Sequence, residues 1–352
     1  MAVVAALLAA AGHNAVEALA RRNIDVDFSF LLRPAGFDFP FRLTEWSTVT
    51  NTYGDALLVA GLNTILASVI SIALASALGL VLALMRLSIN PLARWVSRGA
   101  IEAVRNTPQL LQVVFWYFAV LQTLPAPRSS ITIGKAAFLN VRGLFMPAPT
   151  SPWFTGAAVA ALAVLLVAPA LLSPLRTWWR TGLRVAGLAA LGTALALSTW
   201  SLPAMAGFNF SGGWRLPPEL LALAMGVSIY TSAFIAENVR ASIAAVGLGQ
   251  SEAARSLGLS PGRTMRLVIL PQALRTLLPP LTSQYLNIIK STTLGAAIAY
   301  PEILQIFART VLNQSGRAVE VMTLVLGVFL AVNLSVSAVM NLWDRRLARD
   351  GR

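Results

Sequence analysis

The residues of this chain that could do chemistry are polar and charged side chains set inside long apolar segments. Lys290 is the clearest of them, because it lies about fourteen residues into a predicted helix, on the order of 20 Å from that helix's cytoplasmic end. An ionisable group at membrane depth is costly and usually functional. Lys290 could bind a substrate carboxylate or pair with Glu237 or Glu302. The alternative is that its long stem carries the ammonium group to the outer membrane surface.

Other polar side chains recur along the apolar segments and could line a path for a zwitterion. We predict such a path from Gln112, Tyr230, Thr231, Gln284, Lys290 and Thr292. The alternative for each of them is a hydrogen bond between helices that stabilises packing. Two charge pairs, Glu102 with Arg105 and Glu237 with Arg240, stand three residues apart and therefore share a helix face. We predict that each forms an ion pair that locks an interface.

Enzyme chemistry has few candidates in this sequence. The chain contains one histidine and no cysteine, so metal ligands are scarce and a disulfide is impossible. Neither the phosphate-binding pattern G-x-x-x-x-G-K-[ST] nor the zinc-protease pattern H-E-x-x-H occurs. We therefore predict no catalytic residue, no metal site and no cofactor bound by this chain.

The elements that must position these side chains are membrane helices. The chain is 57% hydrophobic and 12% charged, with a mean hydropathy of +0.70, which is too apolar for a soluble domain. The runs lack the alternation of a β-barrel, so we predict an all-α membrane protein with about eight transmembrane helices. The first would end near Leu19, where a signal-peptide core is the alternative. Apolar runs near the ~20 residues that a spanning helix needs lie at 57–84, 109–124, 153–172, 185–203, 218–236, 276–298 and 319–341.

The net charge of +13 reports membrane topology rather than nucleic-acid binding. Most of the arginines fall in short loops, and these loops share one side of the membrane if eight helices alternate. Cytoplasmic loops carry the excess of basic residues, so both termini are predicted to lie in the cytoplasm. The arginine-rich segments are 86–105, 176–184, 240–275 and 345–352.

The segment 250–271, QSEAARSLGLSPGRTMRLVILP, is cationic and amphipathic. Ser251 is predicted to cap a helix of barely two turns that ends at Gly258. So short a helix gains stability from packing into a partner's groove. The segment resembles the cytoplasmic coupling loop of ABC importer permeases, which docks on the ATPase subunit. The residues that carry this resemblance are Glu252, Ala253, Ala254, Gly258, Leu270 and Pro271.

Three further blocks, at 101–112, 228–240 and 289–302, resemble permeases of the polar amino-acid branch of ABC importers. The likeness implies a five-helix permease core at 57–124 and 217–342. The implied division of the chain is 1–56 (N-terminal helix and periplasmic loop), 57–124 (first part of the core), 125–216 (periplasmic loop and inserted helix pair), 217–342 (second part of the core, with the coupling loop at 240–271) and 343–352 (cytoplasmic tail).

The resemblance implies a permease subunit of an ATP-driven importer of polar L-amino acids in the bacterial inner membrane. The implied partners are a dimer of ATPase subunits that bind the ATP, a second homologous permease, a periplasmic substrate-binding protein and the lipid bilayer, with no nucleic acid. A stand-alone secondary transporter or channel would suit Lys290 and the polar helix residues equally well, but it gives no reason for the pattern at 252–271. A structural or assembly protein would explain only the hydrophobicity.

Overall fold

Helices dominate the computed structural model of the chain. The structure describes residues 26–134, 136–151 and 177–349, together with the single positions 10, 14, 17, 21, 154 and 157. The predictions of a membrane helix before residue 20 and of another at 153–172 lie outside the described residues. The helices are α1 Tyr53–Leu87, α2 Pro91–Arg105, α3 Gln109–Phe115, α4 Thr177–Leu197, α5 Pro218–Ala244, α6 Leu248–Ser256, α7 Pro261–Thr264, α8 Leu270–Ser291, α9 Leu312–Ser315 and α10 Ala318–Arg349.

The predicted all-α membrane fold is confirmed. Among the described residues, three helices are long and apolar enough to cross a membrane, at Tyr53–Leu87, Pro218–Ala244 and Ala318–Asp344. A shorter apolar helix runs over Gln109–Thr123, where α3 continues through a π-helical and a 3₁₀ turn. With α8, which carries Lys290, these helices correspond to the five-helix core.

The centre of the core is the contact between α1 and α5. One side of α1 presents small side chains at every fourth position, which lets two helix backbones approach closely. A Cβ placed on Gly79 would lie 2.7 Å from Ile235 Cγ2, and Ser228 Oγ donates a hydrogen bond of 3.2 Å to the carbonyl of Ser71. These buried small residues of α1 are Ala67, Ser71, Ala75, Gly79 and Ala83.

Helix α3 packs just as closely on the opposite side of α5. A Cβ on Gly226 would lie 2.7–2.8 Å from the backbone nitrogen, Cα and Cγ2 of Val113, so only glycine fits there without a shift. Val113 is fully buried by this contact. The close approach fixes α3 against α5 and holds the start of α3, at Gln109, beside the polar face of α5.

Small antiparallel sheets cover part of the end of the bundle at which α5 begins, which we call the outer side, and the prediction missed them. Strands of two to four residues are too short to show a two-residue alternation, which explains the omission. Phe145 of the central strand pairs with Phe138 on one side and with Arg215 on the other. One sheet contains β1 Ile131–Ile133, β2 Ala137–Asn140, β3 Gly143–Met146 and β8 Trp214–Leu216; β4 Ala148–Pro149 pairs with β5 Trp200–Ser201, and β6 Ala204–Ala206 with β7 Asn209–Ser211.

The segment before α1, which belongs to the predicted periplasmic loop, packs on the helical core. Phe30 and Phe39 are almost fully buried in a cluster that includes Phe307. Arg317 fastens the segment, because its Nη1 donates 3.0 Å hydrogen bonds both to the carbonyl of Asp27 and to a carboxylate oxygen of Glu320. The segment before α1 is thereby held to the start of α10.

Glu302 lies in the turn between α8 and α10 and is fully buried. Its carboxylate accepts hydrogen bonds from the backbone N–H groups of Leu304, at 2.8 Å, and Gln305, at 2.6 Å. It therefore caps the helical turn that follows it. Burial raises the pKa of the Glu302 carboxyl to about 7, although these two hydrogen bonds lower it.

Candidate functional site

The predicted coupling segment contains a helix, α6, with a well-formed C-terminal end. Gly258 adopts a left-handed conformation with φ +77°. Its N–H donates to the carbonyl of Arg255 at 2.9 Å, and the N–H of Leu259 donates to the carbonyl of Ala254 at 3.1 Å. This pair of bonds is a Schellman motif, in which glycine is the favoured residue. Gly258 thus ends the helix, in the position that the sequence predicts.

The start of α6 differs from the prediction that Ser251 caps it. The helix begins at Leu248, with Gly247 as its N-cap and no side-chain cap. Ser251 therefore lies inside the helix, where its hydroxyl donates a hydrogen bond of 2.7 Å to the carbonyl of Leu248. A serine within a helix commonly bonds back to a preceding carbonyl, and glycine is accepted at the N-cap position, which together explain the earlier start.

The exposed surface of α6 combines one acid with apolar side chains. Glu252 and Ala253 are exposed, whereas Ala254 is buried. At the two ends, Leu248 is 80% exposed and Leu257 is 82% exposed. Leu248 neighbours Glu252, and Ala253 neighbours Leu257, because residues four apart share a helix face. Such large apolar side chains in the open mark a surface that can pack against another protein.

A hydrogen bond links α6 to the helix that carries Lys290. Leu270 and Pro271 are the first two residues of α8, and both are exposed. Gln272, which follows them, donates from Nε2 to Oε1 of Gln250 at 3.2 Å. The side chains of α6 and of the beginning of α8 are therefore in direct contact.

Residues 258–262 of this segment, GLSPG, also match the serine-hydrolase pattern G-x-S-x-G. That motif requires a sharp turn from a strand into a helix, and a histidine beside the serine. Here the pentapeptide joins α6 to α7, with Ser260 as the N-cap of α7. The chain's single histidine, His13, lies outside the described residues, so none of the described residues near Ser260 is a histidine. Among the described residues, no three His, Cys, Asp or Glu side chains form a group that could hold a metal.

A polar cavity of about 440 Å³ opens between α3, α5 and α8. Four of the six residues predicted to line a substrate path contribute to its wall, so the structure brings them together from two helices. They are Tyr230, Thr231, Gln284 and Lys290, and the remaining lining residues are Gln109, Phe234, Asn287, Ser291, Thr293 and Leu294.

Lys290 is the one charged side chain among the described residues that line the cavity, and it is exposed. The pairings considered from the sequence do not form, because Glu237 pairs with Arg240 and Glu302 bonds to backbone N–H groups. The other lining side chains supply amides, hydroxyls and aromatic rings. Amide oxygens and hydroxyls can accept hydrogen bonds from an ammonium group, while Lys290 can donate to a carboxylate. The wall can therefore bind both ends of a zwitterion.

The structure contradicts the placing of Gln112 and Thr292 in this path. Gln112 is buried, and its amide donates to the carbonyls of Val104, at 3.1 Å, and Thr107, at 3.3 Å. The hydroxyl of Thr292 is also buried and donates to the carbonyl of Ile289 at 2.7 Å. The amide of Gln112 bonds to the end of α2 and therefore acts as a packing hydrogen bond between helices, the alternative considered for it. The hydroxyl of Thr292 bonds within its own helical turn and joins no second helix.

Gln109 belongs to the cavity but was missing from the predicted path. Its side-chain oxygen accepts a hydrogen bond of 3.0 Å from the hydroxyl of Ser291, which ties α3 to α8 across the cavity wall.

A periodic signal in the sequence pointed to the α8 side of this wall. Gln284, Asn287 and Ser291 stand at helical spacing and form one polar stripe.

The two predicted ion pairs have different outcomes. Arg240 donates from Nε to Glu237 at 2.9 Å, so this pair is present in the structure. The pairing of Glu102 with Arg105 is wrong, because Glu102 instead accepts a hydrogen bond of 2.8 Å from Arg98, one helical turn earlier. The guanidinium of Arg105 lies 5.1 Å from the ring centre of Phe234 in a cation–π contact.

Comparisons with known proteins give the family context. Residues 218–349 match the family described as binding-protein-dependent transport system inner membrane component. The chain is 45% identical to the putative amino-acid ABC transporter permease protein YhdX of Escherichia coli (strain K12), over 96% of this chain and 89% of that protein. It is 38% identical to the general L-amino acid transport system permease protein AapQ of Rhizobium johnstonii, over 96% of this chain and 87% of that protein.

A third relative is the glutamate/glutamine/aspartate/asparagine transport system permease protein BztB of Rhodobacter capsulatus, which is 34% identical over 95% of this chain and 88% of its own length. Among solved structures, a crystal structure of an amino acid ABC transporter with histidines aligns with a TM-score of 0.53. That alignment covers 84% of this chain and 95% of the other at 21% identity, and it therefore shows a shared fold.

Proposed function

Since the chain belongs to the binding-protein-dependent transport system inner membrane components and is an amino-acid ABC transporter permease, we propose that it forms the membrane pathway of an ATP-driven importer of polar L-amino acids. The observation that carries the proposal is the polar cavity with Lys290 in its wall, on the same helix whose start is bonded to α6. Helix α8 would thereby take part both in binding the substrate and in receiving the movement driven by ATP.

Recognition in the cavity would rest on complementary charge. The ammonium of Lys290 would pair with a substrate carboxylate, and the amide oxygens of Gln109, Gln284 and Asn287 would accept hydrogen bonds from the substrate ammonium. None of the described residues that line the wall carries a carboxylate. A side chain with a second positive charge would meet Lys290 without an acidic partner, so the cavity favours neutral and acidic amino acids. The name of the relative BztB supports this range, since it lists two acidic amino acids and their amides.

Coupling to ATP would pass through α6. Its exposed face, with Leu248 and Leu257 at the two ends, would occupy a groove of an ATPase subunit, and two such subunits would bind and hydrolyse the ATP. Movement of α6 would be transmitted to α8 through the hydrogen bond between Gln250 and Gln272. A second, similar permease and a periplasmic binding protein would complete the importer, and this chain would need no cofactor of its own.

Orientation follows from charge. The loop from α6 to α8 carries Arg255, Arg263 and Arg266, so it would face the cytoplasm of the bacterial inner membrane. The end of α10 would lie on the same side, which places the C-terminus in the cytoplasm. We propose the same side for the N-terminus.

The proposal is tested by uptake into proteoliposomes that contain the chain with its ATPase, partner permease and binding protein. Lys290→Met removes the charge, and Lys290→Arg keeps it as the matched control. A hydrogen bond to a charged group contributes about 1.5–3 kcal/mol, so glutamate uptake should fall about tenfold or more in the methionine variant and far less in the arginine variant. Unchanged uptake in Lys290→Met would refute the role of Lys290. Uptake without ATP would favour a stand-alone transporter.

A further inference from the structure

A second cavity, of about 640 Å³, lies on the outer side of the molecule, away from the polar cavity. Its walls come from three parts of the chain: the segment before α1, the side of α1 and the edge formed by β3 and β8. Most of the lining is apolar, and the residues that define it are Phe41, Leu66, Ile70, Met146, Trp214 and Leu216. We call it the outer groove.

The position of the outer groove on the helices fits the depth at which lipid headgroups meet acyl chains. Strand β8 ends at Leu216, directly before α5 begins at Pro218, so the groove stands at the outer end of a membrane helix. Leu66 and Ile70 belong to α1, which is apolar and long enough to cross the membrane. Trp214, at the groove, is 48% exposed, and exposed tryptophans are enriched at membrane–water interfaces.

Two arginines line the groove, and one of them, Arg215, leaves it with a positive charge. Arg42 lines it and forms an ion pair with Asp38. Arg215 also lines it, and its Nε donates to the carbonyl of Arg142 at 3.1 Å. Among the described residues, the side chain of Arg215 forms no ion pair, so both terminal nitrogens stay available.

The surrounding sequence offers Arg215 no compensating acid, whereas Arg42 is paired with Asp38. Between Glu102 and Glu219 the chain contains no aspartate or glutamate, and this stretch includes all eight strands. Arg128, Arg142 and Arg215 therefore leave the outer sheets with an uncompensated positive charge. An excess of arginine outside the membrane runs against the usual topology signal, which concentrates basic residues in the cytoplasm. The uncompensated positive charge of the outer sheets would therefore favour the binding of an anionic partner on this face.

We propose that the outer groove binds one anionic phospholipid of the outer leaflet. The guanidinium of Arg215 binds the phosphate, since its planar fork matches phosphate oxygens in a bidentate geometry. An acyl chain fills the apolar groove against Leu66 and Ile70. A phospholipid fits better than a peptide, because the groove joins a long apolar wall to one cationic rim at headgroup depth.

The test is native mass spectrometry of the intact transport complex released from nanodiscs that contain phosphatidylglycerol and phosphatidylcholine. Arg215→Gln removes the proposed phosphate ligand. The matched control is Arg128→Gln, because Arg128 lies on the same outer face with its guanidinium 4.8 Å from the ring centre of Phe208 and does not line the groove. Leu66→Trp fills the apolar part of the groove and keeps every charge.

We expect the wild-type complex to retain one phosphatidylglycerol in preference to phosphatidylcholine. Retention should fall about fivefold in Arg215→Gln, the factor that corresponds to about 1 kcal/mol for one arginine at an anionic surface. It should also fall in Leu66→Trp and stay unchanged in Arg128→Gln. Equal retention of both lipids, no retained lipid in the wild type, or the same retention in Arg215→Gln would overturn the proposal. A groove covered by protein, whether residues 152–176 or a partner subunit, would give the second of these results.

Discussion

Replacing Gly258 with alanine should impair transport by straining the end of α6, and not through a steric clash. Gly258 has φ +77°, a conformation that residues with a Cβ rarely adopt. A Cβ built on this glycine would have no heavy atom within 4 Å apart from its immediate neighbours. The whole cost therefore lies in the backbone conformation.

The magnitude follows from that conformation. A left-handed backbone costs an L-residue roughly 1–2 kcal/mol. This cost lowers the equilibrium constant for forming the intact helix end about 5- to 30-fold. The alternative is to lose the two hydrogen bonds that Gly258 and Leu259 donate to the last turn. Helix α6 spans only Leu248–Ser256, and so short a helix has little stability in reserve.

The assay is ATP-driven uptake by the reconstituted importer, measured for three variants. Gly258→Ala should reduce uptake about 5- to 30-fold, since a helix without its end no longer presents Leu257 and Glu252 in register. Gly258→Asn should retain most of the activity, because asparagine tolerates the left-handed conformation. Gly262→Ala should match the wild type, because Gly262 also has open space around it and its φ is negative.

Two results would refute the reasoning. Full uptake by Gly258→Ala would mean that the end of α6 does not matter for coupling. Equal loss in the alanine and asparagine variants would mean that any side chain at 258 obstructs the partner, so that the contact with the ATPase, and not the backbone, sets the requirement for glycine.

Two further predictions concern the stability of the fold. Gly226→Ala should lower the free energy of unfolding by about 1–3 kcal/mol, because its Cβ would lie within 2.8 Å of the backbone of Val113. Gly61→Ala should leave the free energy of unfolding unchanged, because a Cβ there has open space. Denaturant unfolding in detergent measures both. Glu302 has a pKa of about 7 in the folded chain against an ordinary value of 4.5, so its contribution to stability is complete below about pH 4.5 and is lost as the pH rises through 7. Melting temperatures between pH 5 and 8 should therefore decline in the wild type and stay nearly level in Glu302→Gln.

Each stability prediction has a result that would contradict it. Equal losses for Gly226→Ala and Gly61→Ala would show that the approach of α3 to α5 is looser than the structure has it. A wild-type melting temperature that rises between pH 5 and 8 would mean that Glu302 is held as a carboxylate by its two backbone hydrogen bonds and has a lowered pKa.

Features set by neighbours along the chain could be predicted from the sequence. The membrane helices follow from hydropathy over about 20 residues. The end of α6 follows from a glycine placed just beyond a short polar helix, and the contact of Glu237 with Arg240 follows from their spacing. The cavity wall was partly predictable, because Gln284 and Lys290 interrupt an otherwise apolar pattern.

Features decided by tertiary contacts could not be predicted. Gln112 faces the end of α2 and bonds to its carbonyls, which no local pattern shows. Glu102 has one arginine within a helical turn on each side, and the spacing does not show which of them it pairs with. It pairs with Arg98, and Arg105 contacts the ring of Phe234 instead. The strands of the outer sheets are too short to show a periodic pattern. The small side chains through which α1 contacts α5 stand in an apolar run, and the sequence does not distinguish them from the rest of that run. The division of the chain at 57, 125, 217 and 343 stays a prediction.

The most direct measurement is uptake of radiolabelled glutamate, glutamine, histidine and leucine by the reconstituted complex, with ATP supplied or withheld on the ATPase side. Glutamate and glutamine should enter only with ATP, and their entry should collapse when Glu252 and Gly258 are both replaced while the complex stays assembled. Entry that continues without ATP, or that follows a proton gradient in place of ATP, would contradict the account.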